Sequence, residues 1–252
     1  MIDELAKVIE TADSKDPLFP PTLIFREGWL LRLFMQMAKE HPGLNFSNKK
    51  SEIVLSHPKG TKFFSEARLP TAFSKKVNKD LYESDTHADG AIGDFSIRSD
   101  TKTGLALDKE PRRFIVLEAK IGSILSKGVE HAKFFDQAAR TVACIANTLK
   151  EADRLPSTFE KLAFGLIAPE ERIQDGVFKK LLSKESIRMN VDKRINQYNG
   201  EFDSWYQEWF IPTLDHINIV EISWEELIKS VSELDLMESI QSFYEKCLKY
   251  ND

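Results

Sequence analysis

Arg113-Phe114-Ile115-Val116-Leu117-Glu118-Ala119-Lys120, followed by Ile121 and Gly122, is the stretch on which the fold turns. Four apolar residues run into a carboxylate, a spacer and an ammonium. A run of Phe, Ile, Val and Leu closed by a glycine turn predicts a strand buried on both faces. Side chains alternate along a strand, so Glu118 and Lys120 leave the same face, roughly 6.6 Å apart along the backbone. Charge is costly to bury without partners. Either the two residues have reached solvent at the strand's end, or the pair serves a chemical purpose there.

The segment preceding this strand carries carboxylates of its own. Thr86 to Arg98 reads as a strand with Asp89 at its start and Asp94 inside it, between Ile92 and Phe95. Their odd spacing puts them on opposite faces of a regular strand, unless a bulge at Gly90 or Gly93 changes the parity. The two lie about 16 Å apart in extended chain. Residues 52–55 and 61–69 are expected as further strands, and Ser99 to Pro111 as a polar hairpin loop. Upstream, a short helix over 3–13 is followed by a helix from Thr22 to about Lys39, stopped by His41-Pro42-Gly43. On that helix Leu23, Leu30, Leu31 and Phe34 share one face with Glu27 in its middle. A glutamate on an apolar stripe must reach a buried cation, a metal or a cleft.

Downstream, a helix is expected from about Val129 to Ala152, with Ala138, Ala139, Val142, Ile145, Ala146 and Leu149 on its core face and Gln137 at the border. Leu162 to Ala168 is a strand closed by Pro169, Glu170 to Trp209 is helical, and Ile217 to Ile222 is a strand. Ser223 to Tyr250 is a last amphipathic helix, with Ser223 and Glu226 spaced as a capping box. The order predicts an α/β protein with a mixed central sheet flanked by helices and a mostly helical C-terminal extension. A single domain spans 1–252, with its core at 22–169 and the extension at 170–252.

Composition sets limits. The 252 residues, 42% hydrophobic and 30% charged, suit a globular protein with a full core. An acidic N-terminus without a long apolar run argues against a secretory signal, and no apolar stretch is long enough to span a membrane. Cys144 and Cys247 are expected as buried thiols, consistent with a cytoplasmic location. The net charge of -5 argues against nonspecific coating of nucleic acid. The segment 49–79 is nonetheless locally basic, with Lys49, Lys50, Lys59, Lys62, Arg68, Lys75, Lys76 and Lys79 against Glu52 and Glu66. It is either a solvated face or a surface for a phosphate backbone.

Glycine-rich phosphate loops, dinucleotide fingerprints and the Gly-x-Ser-x-Gly elbow are absent, and the five histidines lack zinc spacing. What remains is Asp89 or Asp94, with Glu118 and Lys120, on adjacent strands, and Glu27 on a helix. Hard carboxylate oxygens at strand ends suit Mg²⁺, which also takes phosphate oxygens. A nearby ammonium can orient a water or stabilise phosphorane charge. The set suits metal-assisted hydrolysis of a phosphodiester.

Ala88-Asp89-Gly90-Ala91-Ile92 and Glu118-Ala119-Lys120, with the surrounding order of elements over residues 22–169, resemble the PD-(D/E)XK, or restriction-endonuclease-like, nucleases. The resemblance implies an α-β-β-β-α-β core and a nuclease acting on nucleic acid, with DNA as the first expectation. It implies Mg²⁺ or Mn²⁺ held by Asp89 and Glu118, with Asp89 preferred over Asp94. Lys120 would position the attacking water, Glu27 would assist at the metal, and Gln137 would hold the site. A homodimer is allowed and no membrane partner is expected. Two positions depart from the pattern. Ala88 stands where a proline precedes the aspartate, and Thr141 where the RecB-like branch carries a tyrosine. The competing expectation is a catalytically silent nucleic-acid- or protein-binding module on the same architecture.

Overall fold

A computed structural model describes residues 2–42, 49–75, 77–129, 131–231, 234–235 and 237–251. Gly43 and Lys76, noted above, lie outside them. The decisive stretch forms β5 (Arg113–Ala119), buried along nearly its whole length. Its neighbours are β1 (Lys62–Leu69) and β2 (Thr86–Gly93) on one side, with β6 (Lys161–Ala168) and β7 (Asn218–Ser223) on the other. The sheet order is β1-β2-β5-β6-β7. β1, β2 and β5 pair antiparallel, while β5, β6 and β7 pair parallel. β3 (Phe95–Ile97) and β4 (Leu105–Leu107) make a separate two-stranded ribbon. The chain is therefore an α/β protein with a five-stranded mixed sheet, a small hairpin and flanking helices.

Alternation along β5 divides the core. Ile115, Leu117 and Ala119 pack with Leu30, Leu31, Phe34 and Met35 of α2 (Glu27–Glu40). α1 (Ile2–Glu10) precedes α2, and α3 (Lys49–Leu55) follows it. Phe114 and Val116 point the other way, onto the alanine-rich face of α4 (Gln137–Glu151). Beyond β6 come α5 (Glu170–Gln174), α6 (Lys184–Ile195), α7 (Asp203–Trp205), a π-helical turn (Tyr206–Phe210) and α8 (Ile211–His216). Phe178, Ile187, Val191, Trp205 and Phe210 extend the α4-side core. After β7, α9 (Trp224–Ser230) and α10 (Met237–Asn251) cover the α2 side. No helix among the described residues is long and apolar enough to cross a membrane. Cys144 and Cys247 are both free and buried.

Several boundaries differ from expectation for local reasons. Residues 49–55 form a helix rather than a strand, burying Ser51, Val54 and Leu55 at helical spacing. α2 begins at Glu27 after a 3₁₀ turn at Pro21–Leu23, and Leu23 is exposed. α4 begins at Gln137, not Val129, because Asp136 caps it by accepting the Ala139 N–H at 3.0 Å. The expected strand 86–98 breaks at Gly93, whose φ of +146° is one that residues with a side chain rarely adopt. A Cβ there would sit 2.1 Å from the Arg113 carbonyl oxygen. The loop 99–111 contains β4. The last helix divides into α9 and α10, and Ser223 and Glu226 make the expected reciprocal cap at its start.

Candidate active site

Strand register brings the acids together. Gly90 pairs with Leu117 across the antiparallel β2–β5 ladder, so Asp89 stands opposite Glu118, one step along. Directly opposed antiparallel residues carry their Cβ atoms about 4.5–5.5 Å apart. Asp89 shares parity with Ala91, and Glu118 with Phe114 and Val116, so both acids face α4. The Ala119 N–H donates to Asp89 Oδ2 at 2.8 Å, which fixes the aspartate, inside β2 rather than at its start, beside the end of β5.

Glu118 is only 3% exposed. Lys120 Nζ donates to its Oε1 at 2.5 Å, and the Gln137 amide Nε2 donates to the same oxygen. The Gln137 Oε1 accepts the Ser126 N–H at 3.1 Å, and the Gln137 N–H donates to the Ser126 carbonyl at 2.9 Å. This double tie orients the amide so that its donor end faces Glu118. Burial, followed by the adjacent negative charge of Asp89, pushes the Glu118 carboxyl up to about 8 against the pull of Lys120. The strand thus ends in a carboxyl pair under mutual repulsion, with one ammonium partly compensating it.

The backbone beneath these groups is also fixed. The Lys120 N–H donates to the Ile167 carbonyl at 2.8 Å. On its other side, the Trp224 indole N–H donates to the Lys120 carbonyl at 2.9 Å. Trp224 was not singled out from the sequence. Its place as the first residue of a helix directly after a strand is the signal that could have drawn attention to it.

Asp89, Glu118, Lys120 and Gln137 form one cluster. Glu27 is not brought into it. It opens α2, which packs on the opposite face of the sheet, and no hydrogen bond or ion pair among the described residues joins it to the four. The Glu27 charge instead bears on Cys247 of α10. Asp94 is elsewhere as well. Its Oδ2 accepts the N–H groups of Arg112 and Arg113 at 2.8 and 2.9 Å, closing the turn that leads into β5. The two aspartates therefore differ in role, and their asparagine variants should separate them. Asp89→Asn should lose metal-dependent cleavage and, by removing the charge that opposes Glu118, raise the melting temperature at pH 8. Asp94→Asn should keep cleavage and lose about 1–3 kcal/mol of stability by weakening charge-assisted hydrogen bonds. Paired cleavage and thermal-melting assays measure both; the reverse pattern would exchange the assignments.

Among the described residues, no group of three or more His, Cys, Asp or Glu side chains is placed to hold a metal ion. The carboxylate set is Asp89 and Glu118 alone. That number suits Mg²⁺, which commonly takes one or two protein carboxylates and completes its octahedron with waters and phosphate oxygens. It does not suit a closed all-protein cage. The repulsion stored between the two acids is itself a reason for a cation to bind there.

Comparison with known proteins yields no match to any protein-family model, curated protein or solved structure.

Proposed function

We propose that this protein is a Mg²⁺-dependent nuclease of the PD-(D/E)XK type, hydrolysing phosphodiester bonds, with DNA as the first substrate to test. The observation that carries the reading is the opposed pair Asp89 and Glu118, with the Lys120 ammonium against Glu118 in near-complete burial. The element order supports it. α2, β1, β2, β5, α4 and β6 run α-β-β-β-α-β once two insertions are set aside, α3 between α2 and β1 and the β3–β4 ribbon before the third strand. A silent binding module has no use for two acids pressed together at a cost to stability.

Asp89 and Glu118 would hold the ion, which supplies charge neutralisation at the phosphate and acidifies a water. The chain's own groups do the rest. The Ala119 N–H keeps Asp89 aimed across the strand end. Gln137 holds Glu118 in place from α4. The Lys120 ammonium, held at Glu118, would donate to the attacking water and to the charge that grows on the phosphate.

Purified protein should cut plasmid and linear DNA with Mg²⁺ or Mn²⁺ and leave both intact in EDTA. A parallel RNA substrate separates deoxyribonuclease from ribonuclease activity. No cleavage of any of these with either metal would overturn the proposal.

A further inference from the structure

Beside the carboxylates lies a cleft of about 330 Å³. One wall is the segment Tyr82 to His87, which runs into β2 two residues before Asp89. The other is formed by Val129, His131, Gln137 and Arg140. Gln137 belongs to both places, since its amide reaches Glu118 and its side chain also lines the cleft. A strand lying in this cleft therefore leads directly to the acids.

The charges in the cleft are unequally engaged. Glu83 is paired with the buried Arg194 at 2.7 Å. Asp85 lies between Arg68 and Arg98, at 3.4 and 3.7 Å. Both acids are thus compensated within the protein. Arg140 donates to the Ser126 hydroxyl at 2.8 Å and has no carboxylate at ion-pair distance among the described residues. Its guanidinium feels Glu83 and Asp136 at longer range but is in no close ion pair among the described residues, and a phosphate is the ligand such a fork recognises. At the rim, the Tyr82 ring lies 6.4 Å from that of His131 and 5.3 Å from Lys75 Nζ. Partly exposed aromatic rings beside a backbone-binding cation are a means by which proteins hold unpaired bases without reading sequence.

We propose that this cleft seats an unpaired nucleotide next to the scissile phosphodiester, so that the protein acts on single-stranded nucleic acid in preference to continuous duplex. Arg140 contacts the flanking phosphate and Tyr82, with His131, receives the base. Space for roughly one nucleotide, opening onto buried carboxylates, admits a single strand and excludes a paired one. The proposal rests on the nuclease reading for the position of the phosphodiester.

Binding in EDTA tests it apart from cleavage. Fluorescence anisotropy with labelled single-stranded DNA, single-stranded RNA and duplex DNA of one sequence should give at least about 10-fold tighter binding of a single strand. A preference between DNA and RNA identifies which strand the cleft takes. Tyr82→Ala should weaken single-strand binding by roughly 5- to 100-fold. Arg140→Gln should weaken it and lower the slope of log affinity against log salt by about 0.7, while Arg140→Lys keeps the slope. Circular dichroism confirms that the variants fold. Duplex bound as tightly as single strand, or wild-type affinity in both Tyr82→Ala and Arg140→Gln, overturns the proposal. Single-strand preference without Mg²⁺-dependent cleavage keeps the cleft assignment and removes the nuclease. Cleavage with no strand preference does the opposite.

Discussion

Lys120→Ala should lower Mg²⁺-dependent cleavage by at least roughly 100- to 1000-fold, with the fold intact. The Lys120 ammonium is the one cation bonded to the Glu118 carboxylate among the described residues. It is nearly buried, so water cannot take over its role, and removal leaves the charge growing on the phosphate without a donor. Glu118→Ala should cost at least as much, since it leaves Asp89 as the sole carboxylate for the ion. Single-turnover cleavage at saturating Mg²⁺, with circular dichroism to show folding, measures both. Wild-type rates in either variant would remove the site from this end of the sheet.

The second large effect is on stability and runs opposite to the effect on activity. Without metal, Glu118→Gln should melt higher than the wild type at pH 8 and at the same temperature near pH 4. The Glu118 carboxyl is raised from its ordinary value of 4.5 to about 8 in the fold. Between these values the folded chain binds more protons than the unfolded one, so stability falls as pH rises. The contribution of the protonated form is whole below about pH 4.5 and gone above about pH 8. At about 1.4 kcal/mol per pH unit, several kcal/mol are lost across that window. Glutamine keeps the shape and can accept from Lys120 and Gln137 without carrying the charge, so it escapes the loss. A gain of roughly 5–10 °C at pH 8 is expected for a chain of this size. Mg²⁺ should narrow the difference by stabilising the wild type. A difference independent of pH would show that Glu118 is not held under repulsion.

Much of this site was legible because its parts are local. The run Phe114 to Lys120 dictated a buried strand ending in charge, and its parity put Glu118 and Lys120 on one face. Gln137 was visible as a polar residue at the border of an alanine-rich helix. Ser223 and Glu226 marked a helix start by spacing alone. What escaped depended on partners distant in sequence. Residues 52–55 contain the β-branched Ile53 and Val54 and read as a strand, but tertiary burial of Ser51, Val54 and Leu55 selected a helix over Lys49–Leu55. Glu27 was expected in the middle of the apolar face of its helix; it instead opens α2 half-buried, and only topology could put α2 on the face away from Glu118. Asp94 carried no mark of its task, because the two N–H groups it accepts come from 18 and 19 residues later. The same holds for Arg194, fully buried against Glu83 and lying over the rings of Phe73 and Tyr198 at 5.2 Å from each. That cluster joins α6 to the loop before β2, and no periodicity announces it.

The indole of Trp224 bonds to the carbonyl of Lys120 across 104 positions of chain. Every acid, ammonium and amide of the cluster has left the ribosome long before that tryptophan is made. A nascent chain can therefore assemble β1, β2, β5 and α4 and bring Asp89 to Glu118 before the Lys120 carbonyl has its indole partner. The parallel pairing of β7 against β6, followed by the first turn of α9, supplies that partner last. Synthesis order thus separates possession of the chemical groups from the final anchoring of the backbone beneath them.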